Sequence, residues 1–281
     1  MPTLTATPGV DPPQPTKRIF RAIRWSRMLT HVAVGLVVVG SVFPRVSVVQ
    51  RAAFTRWWAN KLLRILNILL LVQGDKPPLH TANLIIAANH TSWIDVFVIN
   101  AVQPARFIAK AEIRDWPIAG WLAEKAGTIF IRRTRRRDTA KINDTTHSVL
   151  AEGSTVGFFP EGTTTAGDKL LKFHTSLFEP AVINSAMIAP VAIRYRDSGG
   201  EPTLAAAFIG ELSFAESISQ IIAMKSMIAE IRFAPPIAAA GANRRTLAVE
   251  AEAAIANMLG VAIPHAHQRF TDSFEERRES P

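Results

Sequence analysis

Apolar and polar positions fall into short blocks along this chain, and from residue 83 onward the blocks keep a regular rhythm. Apolar runs bounded by Gly, Pro, Asn or Asp predict strands over 83–88, 106–110, 128–132, 155–159, 187–194, 204–209 and 228–233. Longer stretches at helical spacing predict helices over 92–102, 116–125, 138–152, 174–185 and 243–259. Strands alternating with helices imply an α/β fold, a mostly parallel sheet flanked by helices. Pro190, inside Ile188-Ala189-Pro190-Val191, cannot donate to a sheet ladder and marks an edge or a bulge.

The first part of the chain follows another pattern. Residues 1–16 are rich in Pro and Thr, lack the basic start of a secretion signal, and are expected to form a disordered tail. Residues 17–27 carry Lys17, Arg18, Arg21, Arg24 and Arg27 with Ile19, Phe20, Ile23 and Trp25 between them. The apolar run from Met28 to Phe43 ends at Pro44 and is shorter than the ~20 residues of a spanning helix. Its far flank is basic too, with Arg45, Arg51, Arg56, Lys61 and Arg64. Charge on both flanks favours a helical hairpin, or a segment lying in the membrane face, over one tilted span. Trp57 and Trp58 suit the headgroup level, and Leu62, Leu63, Leu66, Leu69 and Leu70 extend an apolar helical stripe. The alternative is an amphipathic helix packed on the protein's own core. Residues 17–72 therefore read as membrane-associated helices, 73–260 as the α/β domain, and 261–281 as a polar tail.

Composition narrows the chemistry. Among 281 residues there is no cysteine, which excludes disulfides, thiolate nucleophiles and zinc–thiolate sites. A formal charge of +9 favours an anionic partner: phospholipid headgroups, nucleic acid or a phosphorylated cofactor. No Gly-x-Ser-x-Gly turn and no glycine-rich phosphate loop are present.

The candidate chemistry centres on Asn89-His90-Thr91-Ser92-Trp93-Ile94-Asp95, between a strand and a helix. Residues five apart within one helix point about 140° apart and cannot meet. With His90 before the helix and Asp95 in its first turn, the two side chains converge. A carboxylate on one imidazole nitrogen fixes the tautomer and raises the basicity of the other, which suits proton removal from a nucleophile. Ser92-x-x-Asp95 also reads as a helix N-terminus, with an acid at the positive end of the dipole.

Three more strand ends point to the same rim. Lys110 closes the strand 106–110. Arg132 and Arg133 leave the strand at 128–132 and head the run Thr134-Arg135-Arg136-Arg137. Phe159-Pro160-Glu161-Gly162-Thr163-Thr164 places Glu161 in a tight turn, aimed at a substrate hydroxyl or amine. Ligands of open α/β sheets bind at this edge, and arginine there suits phosphate or carboxylate. His174 has no acid at a matching spacing and reads as a polar helix start, while His147 reads as a surface residue.

Four blocks in this order resemble those of the glycerolipid (lysophospholipid) acyltransferase family: Asn89-His90-x4-Asp95, Gly127-x-x-Phe130-Ile131-x-Arg133, Phe159-Pro160-Glu161-Gly162-Thr163 and Ala189-Pro190-Val191. The resemblance spans roughly residues 60–240. It implies transfer of a fatty acyl group from acyl-CoA or acyl carrier protein to a lysolipid hydroxyl. His90 would be the general base and Asp95 its partner, with no acyl-enzyme, cofactor or metal. It also implies that Lys110, Arg132, Arg133, Glu161, Gly162 and Thr163 bind substrate. The N-terminal helices would embed in the cytoplasmic face of the inner membrane, against an anionic surface. The acceptor it implies is 1-acyl-sn-glycerol-3-phosphate, giving phosphatidic acid.

One position departs from that pattern. Members acting on lysophosphatidic acid carry arginine after Glu-Gly-Thr, where this chain has Thr164. Lys110, Lys169 or Lys172 would have to replace it. The segment 170–178 resembles the branch that includes bacterial ornithine-lipid acyltransferases, which makes lyso-ornithine lipid the alternative acceptor. A different class of function is a basic, non-enzymatic module for anionic lipid or nucleic acid, with His90 structural. The N-terminal apolar segment and the lack of aromatics interleaved with the arginines weigh against nucleic acid.

Overall fold

The computed structural model describes residues 16–131 and 136–264. Helix α1 (Arg18–Ser41) stops before Pro44, which sits in a short 3-10 turn, Phe43–Arg45. Helix α2 (Val48–Ile65) starts at a capping box made by Ser47 and Gln50. The two form the expected hairpin. Met28, His31, Gly35 and Val39 are the buried positions of α1. His31 stacks on Trp58 at 4.6 Å, its Nε2 lies 3.1 Å from the Trp58 carbonyl oxygen, and Trp58 Nε1 donates to the His31 carbonyl. The other faces of α1 expose Ile19, Phe20, Ile23, Leu29, Val34 and Val37. Together α1 and its 3-10 extension, Arg18–Arg45, form a stretch of 28 residues that holds an 18-residue window of mean hydropathy 1.6, long and apolar enough by length and composition to cross a membrane. Thr16, placed by the sequence reading in a disordered tail, is held by two hydrogen bonds to Ala223.

The helical stripe does not continue to Leu70. Asn67 takes a left-handed conformation and ends the helix, and Ile68–Gly74 forms strand β1. A run of consecutive apolar residues fits a helix or a strand equally well. Pairing with another strand settles it here.

Seven further strands follow: β2 (Leu84–Ala88), β3 (Ala105–Lys110), β4 (Ile129–Ile131), β5 (Thr155–Phe158), β6 (Met187–Asp197), β7 (Met227–Phe233) and β8 (Ile237–Ala238). They form one sheet in the order β1-β7-β6-β2-β5-β3-β4, with β8 beside β6. All pairs are parallel except β6–β7 and β6–β8. Helices cover both faces. Against one lie α2, α3 (Asp95–Val102) and α7 (Phe214–Ala223); against the other lie α5 (Arg136–Ala151), α6 (Glu179–Ile183) and α8 (Arg244–Leu259), while α4 (Ala119–Lys125) packs beside α1. Strand β2 is central and buried throughout, sending Leu84, Ile86 and Ala88 into one core and Ile85 and Ala87 into the other. Its unbroken apolar run is what two covered faces require.

Other differences from the sequence reading have local causes. No strand forms over 204–209: Phe208 donates its N–H to the Thr91 carbonyl, and its own carbonyl accepts from the Thr164 hydroxyl. Those groups serve the loop instead of a ladder. The helix expected at 174–185 is split into a 3-10 turn, Thr175–Phe178, and α6, because Pro180 fits only a first turn. Pro190 lies in a central strand, where its missing N–H falls between two partners. On that side of β6, β7 pairs from Val191 onward and β8 covers Met187 and Ile188.

Candidate active site

Strands β2, β5, β3 and β4 are parallel neighbours, so their C-terminal ends share one edge. The segment leaving β2 is fixed almost atom by atom. Asn89, 2% exposed, donates through its side-chain amide to the Ile193 carbonyl (3.0 Å) and accepts from the Ile193 N–H (2.7 Å). The side chain thus extends pairing with β6 one residue past the strand. His90 follows with both main-chain groups committed: its N–H donates to Glu161 Oε1 (2.7 Å), and its carbonyl accepts from the Thr165 N–H (2.9 Å).

Asp95 opens α3 and is fully buried. Its Oδ2 accepts from His90 Nδ1 (2.8 Å) and from the N–H groups of Thr91 (2.7 Å) and Ser92 (2.8 Å). Its Oδ1 accepts from the Tyr195 hydroxyl at 2.6 Å. The first reading of the spacing holds and the second holds in part: Asp95 meets the imidazole and lies in the first turn of α3, but the residue before the helix is Ile94, with no side-chain cap, and Asp95 satisfies the turn upstream instead. A carboxylate that accepts donors leaves the imidazole proton on Nδ1 and a lone pair on Nε2. One ring face stacks on Phe159 at 3.9 Å and 9°, and Phe159 stacks in turn on Phe107. Gly157 makes room for this pile, since a Cβ there would lie 2.8 Å from the Phe107 ring. The His90 side chain keeps 20% of its surface open. The arrangement offers an oriented base, shielded on one face, to a substrate proton.

Comparison with known proteins shows the family. A family model described as Acyltransferase matches residues 70–194. A lyso-ornithine lipid O-acyltransferase of Pseudomonas aeruginosa is 36% identical over 259 residues, covering 90% of this chain and 98% of that protein. The chain belongs to the lysophospholipid acyltransferase family. A 1-acyl-sn-glycerol-3-phosphate acyltransferase of Neisseria gonorrhoeae is 38% identical over 160 residues, 57% of this chain and 62% of that one. The crystal structure of the acyltransferase PlsC from Thermotoga maritima shares the fold, with a TM-score of 0.64 at 19% identity, over 86% of this chain and 94% of that chain.

In this acyltransferase the remaining expected residues are distributed unevenly. Lys110 is the exposed last residue of β3. Arg132 and Arg133 lie outside the described residues. Gly162 closes the turn with φ 73° and an N–H donated to the Phe159 carbonyl, and Thr163 is exposed. Glu161, expected to face the acceptor, is turned inward and 3% exposed. Its Oε1 takes the His90 N–H and its Oε2 the Leu171 N–H (2.9 Å), so it holds the loop. Burial pushes its pKa up from 4.5 to about 7; the Leu171 and His90 amides oppose the rise, and the Asp95 and Glu252 carboxylates add to it. Thr164 spends its hydroxyl on the Phe208 carbonyl. His174 sits at the start of the 3-10 turn, where its carbonyl accepts the Leu177 N–H, and it donates its own main-chain N–H to the Pro160 carbonyl. His147 is exposed on α5.

The sequence reading passed over Asn89, Phe159 and Tyr195 as working parts. Tyr195 left a signal: it is the one tyrosine in 281 residues, and a tyrosine inside an apolar strand needs a partner for its hydroxyl. The strand predicted to end at 194 stopped one residue short of it.

Proposed function

We propose that this acyltransferase moves a fatty acyl group from a thioester, on CoA or acyl carrier protein, to the free hydroxyl of a lysolipid, with His90 as general base. The observation that carries the reading is the His90 Nδ1–Asp95 Oδ2 contact of 2.8 Å, which leaves Nε2 as the proton acceptor at an open edge. His90 takes the hydroxyl proton as the oxygen attacks the thioester carbonyl. The tetrahedral adduct then breaks its C–S bond, and the imidazolium returns the proton to the leaving thiolate. Asp95 stabilises the imidazolium in between. No group beyond these side chains and the thioester is needed to balance the step.

Lyso-ornithine lipid is the acceptor we favour. The relative matched along nearly its whole length carries that name, and Thr164 supplies no cation where lysophosphatidic-acid enzymes place one. Lysophosphatidic acid is the second reading, supported by the Neisseria relative, with Lys110 or Lys169 as the phosphate partner. We place the protein at the cytoplasmic face of the membrane. There the exposed apolar positions of α1 would meet lipid and its basic residues anionic headgroups.

The test is acyl transfer by the purified protein in detergent, with acyl-CoA and acyl carrier protein as donors and both lysolipids as parallel acceptors. His90→Ala should lower turnover by roughly 10²–10⁴ with the fold retained. Wild-type turnover in that variant would refute the base. Turnover of lysophosphatidic acid alone would refute the acceptor.

A further inference from the structure

We propose that Tyr195 is a positioning residue for acyl transfer: its hydroxyl locks the Asp95 carboxylate that in turn aims the His90 imidazole. The inference rests on the reading of His90 as the base.

The case begins with the two oxygens of Asp95. Oδ2 takes three donors, from His90, Thr91 and Ser92. All three come from the segment next to the aspartate, and all act on one atom. A carboxylate held through one oxygen can still swing about it. Oδ1 takes one donor, the Tyr195 hydroxyl at 2.6 Å, from a strand 100 residues further along the chain. That bond ties the plane of the carboxylate to the sheet. Asp95 is fully buried and Tyr195 is 3% exposed, so water cannot stand in for the phenol.

The same short piece of β6 also holds the other end of the segment. Ile193, two residues before Tyr195 and on the same strand face, exchanges two hydrogen bonds with the Asn89 side chain. Residues 193 and 195 thus register Asn89 and Asp95 together, and His90 lies between two points fixed to one strand. The phenol is suited to the task because it remains a donor: burial, and then the adjacent Asp95 charge and hydrogen bond, push its pKa well above 10. Phenylalanine would fill the same space and provide no donor.

A merely structural tyrosine would satisfy its own buried hydroxyl and affect stability alone. Tyr195→Phe separates the two roles. In the full-length protein in detergent, kcat should fall roughly ten- to hundredfold, the worth of a hydrogen bond to a charged group, with KM for both substrates nearly unchanged. The acidic limb of the pH–kcat/KM profile should move to higher pH, because a carboxylate relieved of a donor concentrates its charge toward the imidazolium. In an Asp95→Asn background the same substitution should cost less than about threefold, since coupled residues are not additive. Should Tyr195→Phe fail to fold, the lone tyrosine still reports. Its alkaline absorbance titration should move to lower pH in Asp95→Asn relative to wild type.

Wild-type kcat in Tyr195→Phe, or an equal loss in both backgrounds with an unmoved profile, overturns the proposal. So does an unmoved tyrosine titration. His90→Ala controls the parent reading. Full activity there removes the base and this inference together, whereas an inactive His90→Ala beside a fully active Tyr195→Phe removes this inference alone.

Discussion

Glu161 makes stability depend on pH in an unusual direction, and Glu161→Gln should abolish the dependence. In the unfolded chain this carboxyl titrates near 4.5, and in the native protein at about 7. The native state therefore holds the proton more tightly. Its contribution to stability is fully present below about 4.5 and is lost as pH rises to about 7. At 1.36 kcal/mol per pH unit the gap amounts to about 3 kcal/mol, a sizeable share of the roughly 5–15 kcal/mol that holds a domain together. Most surface carboxylates paired with cations act the opposite way. The cause is geometric: the group is 3% exposed, and two main-chain amides at 2.7 and 2.9 Å do not replace the water it has lost. Glutamine carries no charge, so its own pH dependence is nil. It would turn an NH2 against one of those two amides, at a cost of roughly 1–3 kcal/mol. Thermal or urea unfolding of both proteins at pH steps from 4.5 to 8 cancels the titrations they share. Glu161→Gln should be the less stable protein at acid pH, and towards neutrality the difference should shift by about 3 kcal/mol in favour of the glutamine, reaching zero or reversing sign. A difference that stays level, or widens with pH, would show that the carboxyl is not held at a raised pKa.

Two further substitutions probe other parts of the frame. Asn89→Ala leaves both main-chain groups of Ile193 unpaired in the core, which should cost roughly 2–4 kcal/mol in unfolding measurements and lower turnover by loosening the entry to His90. Gly35→Val sets a Cβ 3.0 Å from an indole already fixed by His31. The hairpin should lose about 1–3 kcal/mol, read as a lower unfolding midpoint and altered tryptophan emission.

How much of this was legible in the sequence follows from the range of the forces. The alternation of β2 to β6 with their helices could be read because central parallel strands must be apolar on both faces. The His90–Asp95 pair could be read because its geometry is local: five residues, one strand end, one helix start. Strand β1 was not legible, since Ile68-Leu-Leu-Leu-Val72 suits helix and strand alike and only pairing with β7, more than 150 residues away, decides it. Helix α7 is announced by the capping box of Ser213 and Glu216, a signal separate from apolar periodicity. Glu161 was placed in the right turn and given the wrong direction. A turn fixes where a residue is, whereas the direction of its carboxylate depends on amides supplied by His90 and Leu171.

The same hydrogen bonds divide the work of the site. Within 89–95, the side chains of Asn89 and Asp95 and the main-chain groups of His90 are committed to the protein, and on our proposal His90 Nε2 is the group left for chemistry. Such a segment can vary little in what it recognises. The stretch from Thr163 to Lys172 is different. It is fastened to the same frame through the Thr165 N–H on His90 and the Leu171 N–H on Glu161, while Thr163, Asp168, Lys169 and Lys172 have exposed side chains. It can change those side chains without moving His90. A family whose members are named for different lysolipids needs this separation, and in this chain Thr164 shows it: its hydroxyl makes a structural bond to the Phe208 carbonyl, with the His90–Asp95 geometry intact beside it.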